Sequence, residues 1–246
     1  MPAANTKTIA NSVTWAQHFL GRRPFYFGTD LEPALTTANT IIQTMLQPPF
    51  KWRWNRASQS FGVTVAGGGA DVVASIPDFG FIEKAQVSAG TGPNTGKAIE
   101  IPRLCTELSQ DGGQGRFNSI AAYLDDNQGI IKFRFMPGTP DVDSTVTVIY
   151  QKKPTLLTGI TGPTGTWPIP DEYGHVYNNG LLFYFLLYAG DSRGFAIGQK
   201  FAGNLIALSE GLDEQQKAIF LGEWDFILEP LRKQLKMQQG YTARNI

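Results

Sequence analysis

Apolar residues recur at two different spacings along this chain, and each change of spacing marks a boundary. Residues 11–20 place Trp15 and Phe19 one turn apart, which predicts a short helix stopped by Gly21. Thr29-Asp-Leu-Glu32 has the form of a capping box. Leu31, Ala34, Leu35, Ala38, Ile42 and Met45 follow it at helical spacing until Pro48-Pro49 ends the pattern. From Lys51 the period shortens towards two. Strands are predicted at 51–56, 60–66, 71–76, 80–88, 98–108, 117–124, 130–135 and 145–151. Turn formers separate them, among them Gly67-Gly-Gly69, Pro77-Asp78, Gly90–Gly96, Asp111–Gly115, Asp125–Gly129 and Pro137–Pro140. The Gly90–Gly96 and Asp111–Gly115 turns are expected to project as exposed tips.

At Trp167-Pro-Ile-Pro-Asp-Glu-Tyr173 the period lengthens again. Pro170 suits a first helical turn, and Asp171 and Glu172 place negative charge at the positive end of the helix dipole. Three helices are expected after it, within 170–190, at 192–209 and at 213–239. Pro230 should kink or restart the last one. Between strands and helices, Gly159, Gly162 and Gly165 recur every third residue and read as a flexible connector.

The fold class expected is therefore α+β: a helical bundle base built from both chain ends, with an inserted antiparallel β-sandwich or barrel-like module. The boundaries are an N-terminal helical segment at 1–50, the β module at 51–153 and a connector at 154–169. The helical domain is completed at 170–239, and a docking tail follows at 240–246.

The helix after Trp167 is apolar on every side. Tyr173, Val176, Tyr177, Leu181, Tyr184 and Tyr188 make one stripe, and Leu182, Phe183, Phe185 and Leu186 fill the rest of its second half. Such a helix must be covered all round. One face is expected to meet the chain's own core, and Leu182, Phe183, Phe185 and Leu186 to meet a neighbouring subunit. The final helix carries Phe220, Trp224, Ile227, Leu231 and Leu235 on one stripe, and its basic, lightly apolar end suits docking.

Composition then removes several classes of chemistry. The 21 basic and 21 acidic residues balance, so no global field favours nucleic acid, a membrane or an acidic substrate. Cys105 is the single cysteine, which rules out an intrachain disulfide or a thiolate cluster and reads as an ordinary buried thiol. The N-terminus has no apolar stretch behind a basic start, so no secretion signal is expected. The longest apolar run, Leu181–Ala189, is short of the ~20 residues that a membrane span needs. The expectation is a soluble cytoplasmic chain with no membrane partner.

His18 and His175 have no acidic or histidine neighbour at one-turn spacing, so neither forms a metal face. Gly112-Gly-Gln-Gly115 lacks the Lys-Ser/Thr and the helix start of a phosphate loop. Glu83, Glu100, Glu107, Asp125 and Asp126 leave a carboxylate pair for glycoside hydrolysis open by counting alone. Trp52 and Trp54 would share one face of a strand, with Arg53 on the other. They read either as a hydrophobic seam between the two modules or as a stacking platform for sugars or single strands. No enzyme, cofactor or catalytic residue is predicted.

The order of helix, Pro48-Pro-Phe-Lys-Trp-Arg-Trp-Asn55, β module and Ile169-Pro-Asp-Glu-Tyr173 leading into helices resembles the head-to-tail adaptor proteins of tailed bacteriophages. The similarity is to the tail tubular protein A type, across residues 29–56 and about 145–239. That resemblance implies a virion structural protein assembled in the host cytoplasm. It implies a twelve-subunit ring beneath the portal that continues the DNA channel. Its partners would be further copies of the chain, the portal protein, tail, nozzle or fibre proteins, and double-stranded DNA passing without sequence readout. Portal docking carries over onto Leu231, Arg232, Leu235, Lys236, Tyr241, Arg244 and Ile246. The alternatives are another neck component, such as a stopper or tail terminator, and a glycan-binding or glycan-cleaving tail protein.

Overall fold

A computed structural model of the chain describes residues 5–20, 32–67, 71–74, 76–90, 96–106, 108, 113–125 and 130–243. It divides into two compact units, one formed by Met1–Trp54 with Pro154–Ile246 and the other by Asn55–Lys153. The fold is mixed α+β, with terminal helices flanking a multi-stranded region that is mostly antiparallel.

The helical unit contains α1 (Ile9–Leu20), α2 (Ala34–Leu46), α3 (Gly174–Tyr188), α4 (Gly194–Leu208) and α5 (Glu214–Ala243). Helix α3 runs through the middle and touches α1, α2 and α4. Three glycines set how closely it is approached. A Cβ on Gly180 would meet Phe201 and Ile41, one on Gly194 would meet Leu231 and Leu186, and one on Gly198 would meet Leu228 and Phe183, each pair within 3.2 Å. Backbone and aromatic rings thus pack at distances that any larger residue would forbid.

The position of α2 follows its apolar spacing, with Ala34, Ala38, Ile42 and Met45 all fully buried. Its N-terminus differs from the expected capping box. The helix begins after Pro33, and Glu32 accepts a hydrogen bond from the Thr36 amide at 3.1 Å. Gly21, Thr29 and Leu31 lie outside the described residues. On α1, Ile9, Val13 and Ala16 face the core, while Trp15 and Phe19 stack on each other at 5.6 Å on the exposed side.

Two local expectations near Trp167 need correction. The Gly159–Gly165 stretch is a packed loop rather than a flexible connector. The Gly159 amide donates to the Thr164 carbonyl, Ala10 donates to Ile160, and Trp167 donates to Lys7. A Cβ on Gly165 would lie 2.1 Å from the Ile160 carbonyl carbon, so backbone touches backbone there. Nor does Asp171 serve only its own helix. Its carboxylate accepts from the amides of Thr6 and Lys7 and from the Thr6 hydroxyl, pinning the segment before α1 to the start of α3.

Partial burial alone would raise the Asp171 pKa, but the Thr6 and Lys7 hydrogen bonds outweigh it and hold the carboxyl below the usual range. A depressed folded-state pKa means stability that is present above the unfolded value and lost as pH falls through the folded one. Asp171→Asn should therefore lower the urea midpoint near about pH 7, with the difference from wild type shrinking at a pH well below the ordinary carboxylate range. An equal difference at both pH values would refute this assignment.

The β unit holds two four-stranded sheets. In the first, β1 (Arg56–Val63) pairs with β8 (Ser144–Lys152), β8 with β3 (Phe79–Ala89), and β3 with β4 (Ala98–Glu100), all antiparallel. In the second, β2 (Val72–Ala74) pairs with β7 (Ile130–Met136) and β7 with β6 (Ser119–Asp125), both antiparallel. The edge strand β5 (Arg103–Cys105) runs parallel to β6. Neither sheet closes on itself, which removes the barrel.

Alternate side chains from both sheets meet in one core. Val146 and Val148 of β8 pack there with Phe133 and Phe135 of β7, joined by Phe61, Phe79 and Phe117. Of the segment 51–56 only Arg56, the first residue of β1, is in a strand. Lys51 makes one bridge to Glu210, and Arg53–Asn55 is a single 3-10 turn. The segment 98–108 breaks into two short strands at Pro102, whose missing N–H cannot serve a ladder. Residues 91–95 and 111–112 of the two expected tips lie outside the described residues, whereas Gly113–Gly115 bridge to Thr139, whose amide donates to Gly113 and whose carbonyl accepts from Gly115.

Candidate docking surface

Helix α5 is 30 residues long, about 45 Å at ~1.5 Å per residue. Its start is a reciprocal capping box. The Asp213 carboxylate accepts from the Gln216 amide at 2.7 Å, and the Gln216 side chain accepts from the Asp213 amide at 3.2 Å. One face is the core face, where Phe220, Trp224, Leu228 and Leu231 are buried. Trp224 anchors it, with ring contacts to Phe183, Phe201 and Phe220 and an indole N–H donated to the Gly198 carbonyl at 3.0 Å. Pro230 lies inside the helix without splitting it. Pro230 is exposed, on the side of the helix away from the core face.

The opposite face is unusual for a helix that has already buried its apolar stripe. Ile219, Phe226 and Met237 line up along it, 55%, 77% and 60% exposed. The value for Phe226 is the highest of any large apolar side chain among the described residues. Charged groups surround that ring. Arg232 pairs with Asp225 at 2.8 Å and lies over the Phe195 ring, and Lys233 pairs with Glu229 at 2.9 Å. The Lys233 hydrogen bond and charge lower the Glu229 pKa. Where this face begins, Gln47, Pro48, Pro49, Gln216, Ile219 and Glu223 border a cleft of about 330 Å3 lined also by Phe50 and Phe220.

The residues expected to dock fall into three groups. Leu231 is 1% exposed and packs against Gly194, so it belongs to the chain's own core and leaves nothing for a partner. Arg232 and Leu235 are half-buried, and Lys236 is exposed. Tyr241 lies in the last turn of α5, while Arg244 and Ile246 lie outside the described residues.

The neighbour contact expected at Leu182, Phe183, Phe185 and Leu186 is also corrected. These side chains are between 0% and 3% exposed, because other helices of the same unit already cover the second side of α3. Phe183 meets Trp224 of α5, and Leu186 lies beside Gly194 of α4. A helix apolar on every side needs full cover, and the other four helices of the unit supply it for Leu182–Leu186 without a second subunit.

The remaining candidates are structural. Trp52 is 1% exposed with its N–H donated to the Met45 carbonyl, so it cannot serve as a stacking platform. Trp54 is half-buried, and both indoles pack on Tyr173. Glu83 takes hydrogen bonds from Arg56 and Gln151, and Glu100 pairs with Lys84 at 3.3 Å. Asp126 and Glu107 lie outside the described residues, as does the Asp125 side chain. In the second sheet, Arg134 is held by both oxygens of Asp71 and by the Leu108 carbonyl and lies over the Tyr123 ring. His18 and His175 are exposed, and Cys105 is half-buried.

Among the described residues no three His, Cys, Asp or Glu side chains gather closely enough to hold a metal, and no helix is long and apolar enough to cross a membrane. No protein-family model matches the chain, and no curated protein matches it.

Proposed function

We propose that the chain is a head-to-tail adaptor of a tailed bacteriophage, a virion structural subunit whose ring joins the portal to the tail and continues the DNA channel. The observation that carries this reading is the way the chain is divided. A helical unit built from both ends holds the whole β unit as an insertion between Trp54 and Pro154. The Pro48–Asn55 motif falls at the first of these boundaries, and Trp167–Tyr173 opens the return into helix. In this reading the inserted unit is a β-sandwich that meets the tail-side partner, and the other unit is a helical bundle. The distal end of α5 from Lys236 through Tyr241, together with Arg244 and Ile246 after it in the sequence, serves the portal.

Electron microscopy of the isolated assembly tests the reading through its symmetry. Twelvefold rings are expected. Sixfold rings would favour a stopper or tail terminator, and trimers with saturable sugar binding would favour a glycan-handling tail protein. The docking claim has its own test, and burial decides where to cut. Removal of 231–246 would strip Leu231 from the core, whereas removal of 239–246 spares every side chain described as buried. The shorter deletion should leave the urea midpoint unchanged and abolish attachment to the portal of the same virion. Full attachment would sink the docking role.

A further inference from the structure

We infer that one end of the core between the two sheets is a binding site for a free branched aliphatic α-amino acid, of the size of leucine or isoleucine. The site lies wholly within the β unit and does not rest on the adaptor reading.

The inward pairs along the β3–β8 ladder shrink towards this end. Val87 stands opposite Val146, and the next inward pair is Ala89 with Ser144. Side chains that small leave a cavity of about 120 Å3, lined also by Val87, Ile99, Phe117 and Val142. Its walls are fixed by contacts of their own. Ile99 stands across from Val87 on β4, and Phe117, 2% exposed, stacks on Phe135 at 4.5 Å. At the rim the Gly115 amide donates to the Thr139 carbonyl at 3.0 Å, and the Gly90 amide donates to the Asp143 carbonyl at 2.7 Å. A preformed apolar recess with a few polar groups at its mouth is the usual form of a small-molecule site.

The polar side chains that line the cavity are Arg116, Asp141 and Ser144. The Ser144 hydroxyl is donated to the Val142 carbonyl at 2.8 Å. A hydrocarbon group therefore suits the recess, whereas a polar one would lose its water there with little in return. Size narrows the choice. Apolar space of ~150 Å3 takes a benzene ring. The smaller volume here admits a leucine or isoleucine side chain and turns away that of phenylalanine.

Arg116 and Asp141 supply the rest of the specificity. Both are exposed and both border the cavity. Among the described residues neither makes an ion pair, with the other or with a third group. Asp141 Oδ1 lies 4.0 Å from where a Cβ on Gly115 would stand, so the acid sits beside the residue that precedes Arg116. Two unpaired charges of opposite sign at one mouth match a ligand that carries both. A guanidinium takes a carboxylate through parallel N–H bonds, and a carboxylate accepts from an ammonium. An α-amino acid bears its carboxylate and ammonium on one carbon beside its side chain. It can span the rim with its charges while the side chain enters the recess.

Saturation-transfer NMR on the full chain tests the site, because it reads weak ligands on an assembly of any size. Leucine and isoleucine should bind with a dissociation constant of about 1 mM or below. Leucinamide lacks the carboxylate and N-acetyl-leucine lacks the ammonium, and each should bind about tenfold more weakly. Phenylalanine should show no transfer at the same concentration. Arg116→Gln should erase the preference for leucine over leucinamide but keep that over N-acetyl-leucine, and Asp141→Asn should do the reverse. Both variants change exposed side chains, so their thermal unfolding should match wild type. Ala89→Leu fills the recess and should abolish leucine binding. If Ala89→Leu fails to fold, the two charge variants decide alone.

No transfer to leucine at about 10 mM overturns the inference, as does leucine binding unchanged in both Arg116→Gln and Asp141→Asn. N-acetyl-leucine bound as tightly as leucine would refute the free amino acid and favour the last residue of a peptide. Leucinamide bound as tightly would remove the role of Arg116. Phenylalanine bound as tightly would refute the size limit set by the cavity.

Discussion

Trp224→Ala should destabilise the helical unit by about 3–5 kcal/mol, the range for truncating a buried aromatic side chain. The indole is 4% exposed, and its ring meets those of Phe183, Phe201 and Phe220 at 5.2, 5.5 and 5.7 Å. The surrounding structure has little means of closing over the cavity. Gly198, which accepts the indole N–H, already sits against Leu228 and Phe183 with no room for a methyl group. All five tryptophans, Trp15, Trp52, Trp54, Trp167 and Trp224, belong to the helical unit, so tryptophan fluorescence during urea unfolding reports on that unit alone. The midpoint should fall while the dependence on urea stays the same. A loss under about 1 kcal/mol would show that the site relaxes more readily than its packing implies.

The corresponding change in the β unit is Phe133→Ala, again with an expected loss of about 3–5 kcal/mol. Phe133 is fully buried between the sheets, stacked on Phe61 at 5.1 Å and edge-on to Phe79 at 5.7 Å. Phe61 and Phe79 come from strands of the opposite sheet, so one truncation removes contacts that hold the two layers together. This unit has no tryptophan, and amide hydrogen exchange is the suitable probe. Protection of β6, β7 and β8 should drop at least about a hundredfold, at tenfold for each ~1.4 kcal/mol. Unchanged protection would mean that the sheets do not depend on this core.

These two sites differ in how far the sequence foretold them. Trp224 stands on a stripe with Phe220, Ile227 and Leu231, and helical spacing alone assigns it to the core. Phe133 lies in a run of alternating residues, so its inward direction was legible while its partners were not. Phe61 and Phe79 are distant in sequence, and only the strand order brings them to the same ring. The Asp213–Gln216 capping box is legible in the sequence as Asp-x-x-Gln, whereas the Thr29–Glu32 pattern misleads, because Glu32 bonds the Thr36 amide of α2.

For the docking surface the balance shifts further towards tertiary structure. The sequence pointed to Leu182–Leu186 because an all-apolar helix demands cover, but a demand for cover does not say who supplies it. In sequence Phe226 does not stand out, since a single aromatic residue on the polar side of a helix is a common sight. It stands out only in the fold, where the same helix already has a full core face.

By itself the sequence determined what periodicity and local chemistry can carry: three helical stretches of the C-terminal part, the ending of α2 at Pro48-Pro49, most strands, and a β unit inserted between helical ends. Those features depend on neighbours a few residues apart, and such neighbours are written side by side. The tertiary structure decided which apolar surfaces cover one another. It turned 51–55 from a strand into a bridge and a turn, packed the Gly159–Gly165 loop on the segment leading into α1, and buried Leu182–Leu186 of α3 within its own chain. Burial is a property of residues far apart in sequence, and only the folded chain shows which apolar side chain is left without a partner.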